Sequence, residues 1–185
     1  MRNLLAVSVF MAFALSAQAN TLLTDENLNQ LEAMLPKLQQ LEQRPQNKQF
    51  QLKQHCNWSQ HYAELSSQEK DSKYQAQIEQ LAKQHGFTPV QFVELSAKVT
   101  WPILDSVQPM LEISRQAMVF LPEAQRKNTE KTVTQGQQYY KTLSSCLTND
   151  DKTALDKHHD RIMQMAQRLG GVGQMLPKGM VMPAN

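Results

Sequence analysis

The chain has 185 residues, of which 41% are hydrophobic and 19% charged, and its formal net charge is +2 at pH 7. This length allows one domain with its own hydrophobic core but leaves little room for a second. The near-neutral charge gives no electrostatic basis for binding nucleic acid or an anionic membrane surface.

The first 19 residues have the features of a cleavable signal peptide. Arg2 supplies a short positive start, and Leu4–Leu15 is an apolar run too short to span a bilayer as a helix. Ala17 and Ala19 provide the small side chains found before signal-peptidase sites, which predicts cleavage between Ala19 and Asn20. We therefore expect an exported, periplasmic protein, and the alternative is an N-terminal anchor that stays uncut.

Two cysteines, Cys56 and Cys146, stand 90 residues apart in the chain. In an oxidising compartment a lone pair of cysteines most simply forms a disulfide, and the sequence has no Cys-x-x-Cys redox motif. Closing so long a loop stabilises a fold by about 4–5 kcal/mol on the chain-entropy model. The alternative is a pair of free thiols.

Three helices are predicted in the first part of the exported chain. The first follows an N-cap at Thr24 and carries a leucine stripe, which Pro36 kinks or restarts. The second runs from about Gln49 to Leu65. The third ends at Gly86, a residue suited to the left-handed conformation that often follows a helix.

Several signals coincide at the predicted start of the fourth helix. Thr88 suits the N-cap, Pro89 suits the first helical position, and Gln91 can close a capping box. Phe87 and Phe92 occupy the positions of a hydrophobic staple. The tight turn has the form of a helix-turn-helix, but export and the near-neutral charge argue against DNA binding.

The segment from Pro102 to Leu121 is the most apolar part of the exported chain. Proline at its start predicts a break or bend, and Pro109 predicts a kink within it. A helix that is apolar on most sides is normally central in a bundle. Two further helices follow, and Thr148 caps the last of them.

These elements predict an all-α fold: an irregular bundle of six or seven helices with proline kinks and one disulfide. No alternating strand pattern competes with the helical spacing. We assign residues 1–19 to the signal peptide, 20–171 to the helical domain and 172–185 to a flexible Met-rich tail.

Histidine spacing does not favour a zinc site in the second predicted helix. His55 and His61 are six residues apart and do not share a helix face well. His55 and Cys56 can bind a metal ion together only if the thiol is reduced. We therefore predict no metal ligands in this part of the chain.

A second group of residues gives a copper hypothesis, because thioether and imidazole ligands suit Cu(I). The group combines residues near the end of the last predicted helix with tail residues: His158, His159, Met163, Met165, Met175, Met180 and Met182. The alternative is that His158 and Met165 belong to the core and that the tail methionines cover an apolar groove.

No arrangement of residues in the sequence indicates catalysis. The serines lie outside any Gly-x-Ser-x-Gly motif, and no glycine-rich phosphate loop is present. Asp150 and Asp151 are explained as charges in the first turn of a helix. We predict a protein that is not an enzyme and carries no cofactor. Five aromatic residues either line a ligand groove or pack in the core: Trp58, Tyr62, Trp101, Tyr139 and Tyr140.

Several segments resemble exported bacterial proteins. Leu23–Asn27, Leu35–Leu38 and Leu81–Thr88 with Phe92 resemble a loose group of exported all-helical bacterial proteins with no assigned function. Leu23–Asn27 and Leu147–Asp151 are also similar to the Leu-Thr-x-x-Gln repeats of the Spy-type periplasmic chaperones, with Asn or Asp in place of Gln. The first resemblance implies the fold, and the second implies a chaperone-like role.

The sequence as a whole favours a non-enzymatic binding or chaperone-like module of the periplasm. Its apolar segment and Met-rich tail suit another envelope protein or an apolar ligand as the partner. We expect no nucleic-acid partner and no transmembrane segment in the exported chain. The alternative function is periplasmic copper binding.

Overall fold

The computed structural model describes residues 21–41, 55–68 and 73–169. The predicted signal peptide (1–19), the Ala19–Asn20 cleavage site and the tail (172–185) with its methionines lie outside these ranges. Within them the chain is all-α, with seven α-helices, one short 3-10 helix and no strand. The α-helices are α1 (Asp25–Gln40), α2 (Trp58–Gln68), α3 (Lys73–Gln84), α4 (Pro89–Ala117), α5 (Glu123–Ser145), α6 (Asn149–Lys157) and α7 (His159–Arg168).

Local capping signals set the helix starts where the sequence predicts them. Thr24 and Thr148 accept main-chain hydrogen bonds in the first turns of α1 and α6. At α4 the Thr88 hydroxyl accepts from the Gln91 amide, and the Gln91 side chain accepts from the Thr88 amide. Gly86 has a φ of +81°, which strains residues with a side chain, and it turns the chain from α3 into α4.

Two predicted helix boundaries are wrong, and the errors cancel in the helix count. α4 continues through both Pro102 and Pro109, so of the break or bend expected at Pro102 the break is absent. The Pro102 ring is buried, so packing of the surrounding helix compensates for the backbone hydrogen bond that proline removes. Conversely, the last predicted helix is divided at His158 into α6 and α7.

The start of α2 also differs from the prediction. The helix begins at Trp58 rather than near Gln49, and residues 49–54 lie outside the described ranges. His55, Cys56 and Asn57 therefore form a turn before the helix instead of its second turn. This difference decides how the two histidines of the segment meet.

α4 is the central helix of the described fold, because it contacts α2, α3, α5, α6 and α7. A smaller apolar cluster of Ala97, Leu104 and Leu143 lies between α4 and α5. The larger core joins α4 to α1, α3, α6 and α7 through Leu23, Leu28, Leu31, Met34, Leu35, Leu81, Ala82, Phe87, Leu95, Val99, Leu147, Leu155, Ile162 and Met165. None of the described helices is long and apolar enough to cross a membrane.

Only the first half of the apolar segment 102–121 is central. Ile103 and Leu104 are fully buried, but Ile113 is 66% exposed and Phe120 is 85% exposed. The prediction that the whole segment lies inside the bundle is therefore wrong. Its second half and the 3-10 helix Met118–Phe120 form the exposed end of a helical hairpin with α5.

The predicted disulfide between Cys56 and Cys146 is present, with their Cα atoms 5.1 Å apart. It joins the turn before α2 to the residue that ends α5. Since α2 packs mainly on α4, this bond is the covalent link that holds the start of α2 against the bundle.

Asp151 has a role beyond that of a first-turn charge. Its carboxylate is buried and accepts a hydrogen bond from the Lys98 ammonium at 2.9 Å. Lys98 is only 5% exposed and also contacts Glu94 at 2.7 Å. The pair therefore fixes α6 to the central helix through a buried charge interaction that the sequence pattern did not indicate.

Candidate ligand cleft

A half-enclosed, mainly apolar cleft of about 270 Å³ lies between α2, α3 and α4, with one residue from α5 at its edge. The residues that line it are Trp58, Tyr62, Leu65, Tyr74, Gln75, Ile78, Glu79, Ala82, Pro89, Phe92, Val93, Ser96, Ala97, Thr100 and Tyr139. Their spacing shows that each helix contributes one face, because residues three or four apart lie on the same side of a helix.

Two features hold the walls of the cleft in place. The left-handed Gly86 directs α4 back along α3, so that the two helices form adjoining walls. The disulfide at Cys56 fixes the chain two residues before Trp58, which begins the third wall. The cleft is therefore built on helices rather than on loops.

One wall of the cleft carries a polar group. The Tyr62 hydroxyl donates to Glu79 Oε1 at 2.9 Å, and Gln75 Nε2 donates to the same oxygen at 2.7 Å. Burial, together with the hydrogen bond to Glu79, raises the pKa of Tyr62. These contacts hold a carboxylate in a fixed orientation beside apolar side chains, where it can recognise a polar end of a ligand.

Tyr139 reaches the cleft from α5. Its hydroxyl has no hydrogen-bond partner among the described residues, and burial alone raises its pKa to about 12. A ligand that accepts a hydrogen bond from this hydroxyl would gain affinity.

We expect the Tyr139→Phe variant to lose the last tyrosine ionisation of the folded protein. Because burial raises the folded pKa from 10.0 to about 12, Tyr139 contributes stability below pH 10, and this contribution disappears as the pH rises through 12. The tyrosinate absorbance during an alkaline titration measures this step. If the highest ionisation persists in the variant, the assignment to Tyr139 is wrong.

Of the five aromatic residues singled out in the sequence, three line the cleft and four pack beside the apolar cluster between α4 and α5, so the two roles overlap. Trp58, Tyr62 and Tyr139 line the cleft. Trp101 and Tyr140 instead stack on each other with their ring centroids 6.2 Å apart, beside the apolar cluster between α4 and α5.

The residues of the copper hypothesis do not all lie together. Met165 is buried in the core, and His158 is buried with Nδ1 3.7 Å from a carboxylate oxygen of Asp25. His159 is exposed at the start of α7, one turn before Met163. Since the tail methionines lie outside the described residues, copper binding stays a prediction.

His55 and His61 meet although their sequence spacing separates them. Because His55 precedes α2, its ring folds over the first turn and stacks on the His61 ring, with centroids 4.1 Å apart. One nitrogen of each ring and one carboxylate oxygen of Glu64 all lie within 4.8 Å of one another. The expectation that these histidines lie on different faces assumed a continuous helix from about Gln49. Since α2 begins at Trp58, His55 lies outside the helix and that assumption does not apply.

No family model matches the chain, and neither a curated protein nor a solved structure matches it. The resemblances to exported helical proteins and to Spy-type chaperones therefore stay predictions from the sequence. The cleft and the histidine pair are the features from which function must be argued.

Proposed function

We propose that this protein is a non-enzymatic binding module of the periplasm that holds a small, mainly apolar ligand between α2, α3 and α4. The observation that carries the proposal is the cleft itself, with three helix faces turning apolar side chains towards one space. The Cys56–Cys146 disulfide supports the location, because such bonds persist in oxidising compartments.

The size and polarity of the cleft narrow the ligand class. Ligand pockets commonly enclose about 300–1,000 Å³, so a cleft of about 270 Å³ suits a ligand of one or two rings or a short alkyl chain. Such a ligand gains affinity from burial at about 25 cal/mol per Å² of apolar surface. A single hydroxyl or amine on it would match Glu79, while an acceptor would match Tyr139.

Two hydroxyl groups of the cleft already donate hydrogen bonds within the protein. The Thr100 hydroxyl donates to the Ser96 carbonyl at 2.7 Å, and the Tyr62 hydroxyl donates to Glu79. The first hydroxyl is thus bonded to the main chain, and the second is bonded to the Glu79 carboxylate. Their positions suit recognition of a ligand.

The test uses the two tryptophans of the chain, of which only Trp58 lines the cleft. In the Trp101→Phe variant Trp58 is the sole tryptophan, and this change breaks no hydrogen bond because Trp101 Nε1 has none among the described residues. We expect 6-propionyl-2-dimethylaminonaphthalene, an apolar dye of two fused rings, to bind saturably with one site per chain. Energy transfer from Trp58 to the dye measures the binding.

A blocking variant and its matched control test whether the dye occupies the cleft. Ser96→Phe places a ring inside the cleft, whereas Ser106→Phe places the same ring on an exposed position of α4. We expect the first to weaken dye binding by at least about tenfold, a loss near 1.4 kcal/mol, and the second to leave it unchanged. Equal binding by both variants would contradict the proposal.

A further inference from the structure

We propose that His55, His61 and Glu64 form a binding site for a divalent transition-metal ion, with Zn²⁺ as the cation that suits this ligand set. Two imidazoles and one carboxylate are a ligand set of zinc sites that keep a fourth position for water. In this chain one nitrogen of each ring and one Glu64 oxygen lie within 4.8 Å of one another. The site adjoins the ligand cleft, since the His61 and Trp58 ring centroids are 5.5 Å apart, but the proposal does not depend on the function of the cleft.

Local structure brings the three residues together. Asn57 caps α2, since its side-chain oxygen accepts the Gln60 amide at 3.0 Å, and the chain before it turns back over the helix. His61 and Glu64 are three residues apart on α2 and therefore lie on one face. His55 reaches this face from the turn, where the neighbouring Cys56 is fixed by its disulfide.

The Nε2 atom of His55 is the clearest sign of a ligand. This nitrogen is buried without a hydrogen bond among the described residues, and Glu64 Oε1 lies 3.9 Å from it. A buried polar atom without a partner costs free energy, and such atoms are uncommon in folded proteins. A cation bound between His55 and Glu64 would satisfy this nitrogen and give a further partner to the carboxylate, which already accepts from Gln60 Nε2 at 3.1 Å.

The His61 ring is already oriented by a second contact. The side chain is 1% exposed, and its Nε2 lies 2.7 Å from the main-chain oxygen of His55. Donation from Nε2 to a carbonyl leaves the lone pair of a neutral ring on Nδ1. Metal-binding histidines commonly make such a bond with their other ring nitrogen, which fixes the tautomer and the ring plane.

Binding requires a modest local rearrangement. Ligand atoms of a tetrahedral zinc site with bonds of about 2.0–2.1 Å are about 3.3 Å apart, so the three groups must move closer than in this structure. The Asn57 amide donates to Nδ1 of His55 at 3.3 Å. A neutral ring that accepts at Nδ1 carries its proton on Nε2, so this long hydrogen bond must break and the proton must move to Nδ1 before Nε2 can bind the ion. Cys56 is no competing ligand, since its sulfur is held in the disulfide.

The test is calorimetric titration of the untagged chain without its first 19 residues, disulfide intact, with ZnCl₂ near neutral pH. We expect one ion per chain and an affinity that rises with pH, because the imidazoles must be unprotonated. His55→Ala and Glu64→Gln should each weaken binding by at least about tenfold. His159→Ala, which removes an exposed histidine elsewhere, should leave the affinity unchanged.

A spectroscopic measurement separates this site from other modes of binding. Co²⁺ in place of Zn²⁺ should give a tetrahedral ligand-field spectrum without a thiolate charge-transfer band. Circular dichroism and thermal unfolding serve as controls that His55→Ala and Glu64→Gln are folded. His61 is not replaced, because its side chain is buried and its loss would disturb the packing of α2. Absence of Zn²⁺ binding, wild-type affinity in both variants, or loss of binding in His159→Ala would overturn the proposal.

Discussion

Loss of the Cys56–Cys146 disulfide is expected to lower the free energy of unfolding by about 4–5 kcal/mol. The bond closes a loop of 90 residues, and the chain-entropy model assigns the effect to the greater freedom of the unfolded chain once the loop is open. Domains of this kind are stable by only about 5–15 kcal/mol, so the loss is a large part of the total. α2 should loosen first, because it depends on this bond and on α4.

Urea unfolding of the oxidised and reduced protein measures this difference. The Cys56→Ser/Cys146→Ser variant is the control, because its stability should match that of the reduced protein and should not respond to reductant. A difference below about 1 kcal/mol would mean that the native state is strained by the bond or that the unfolded chain stays compact without it.

Features with short-range causes were predictable from the sequence. The capping box of Thr88 and Gln91 involves residues three apart, and the left-handed Gly86 needs only its own backbone conformation. The disulfide was predictable for a different reason, since two cysteines allow a single intramolecular pairing. Each of these features requires no knowledge of what packs against the segment.

The course of α4 was not predictable because packing outweighs the local preference of proline. Pro102 removes one hydrogen bond, yet the adjoining Ile103 and Leu104 are fully buried and hold the helix continuous. Phe120 shows a different limit of the sequence. An apolar segment predicts burial, but it does not indicate which of its helical turns have another element to pack against, and Phe120 is exposed. Both outcomes depend on the position of α5.

The two candidate sites were visible only in part. The aromatic residues Trp58, Tyr62 and Tyr139 were singled out, but Glu79 was not, because it meets Tyr62 from another helix, 17 residues along the chain. The contact between His55 and His61 was missed because the start of α2 was predicted too early in the chain. If Asn57 had been interpreted as the N-cap of α2, with its side chain accepting from the Gln60 amide, the predicted helix would have begun after His55 and the contact would have been expected.

Replacement of Lys98 by methionine is the second change with a large expected effect. Lys98 is the charged partner of Asp151, whose carboxylate also accepts hydrogen bonds from the Thr21 hydroxyl at 2.8 Å and the Thr148 amide at 3.0 Å. Methionine fills a similar volume but leaves the carboxylate buried without its cation. We expect a loss of about 3–5 kcal/mol, since removing one partner of a buried pair strands the other charge.

An exposed ion pair provides the matched control for this substitution. Lys127 contacts Glu123 at 2.9 Å on the surface of α5, where solvent screens both charges. Lys127→Met removes the same functional group by the same substitution and should change the free energy of unfolding little. A similar effect of both substitutions would show that the buried position of Lys98 is unimportant.

The dependence on pH tests whether the loss arises from the carboxylates that Lys98 leaves unpaired, of which Asp151 is the buried one and Glu94 is partly exposed. In the wild type, burial acts to raise the pKa of Asp151, but hydrogen bonds from Lys98, Thr148 and Thr21 outweigh it and hold the pKa below 3.8. The carboxylate therefore adds stability above pH 3.8, and this stability disappears as the pH falls through the lowered value.

In Lys98→Met the pKa of Asp151 should rise from its value in the wild type. The hydrogen bond and charge of Lys98 no longer oppose burial, so the carboxylate takes up its proton at a higher pH than in the wild type, and protonation relieves the buried charge. The difference in unfolding free energy between Lys98→Met and the wild type should thus be largest near neutral pH and shrink towards pH 4. Urea unfolding across this range measures it. A difference that stays constant with pH would assign the loss to packing of the lysine stem rather than to the charge of Asp151.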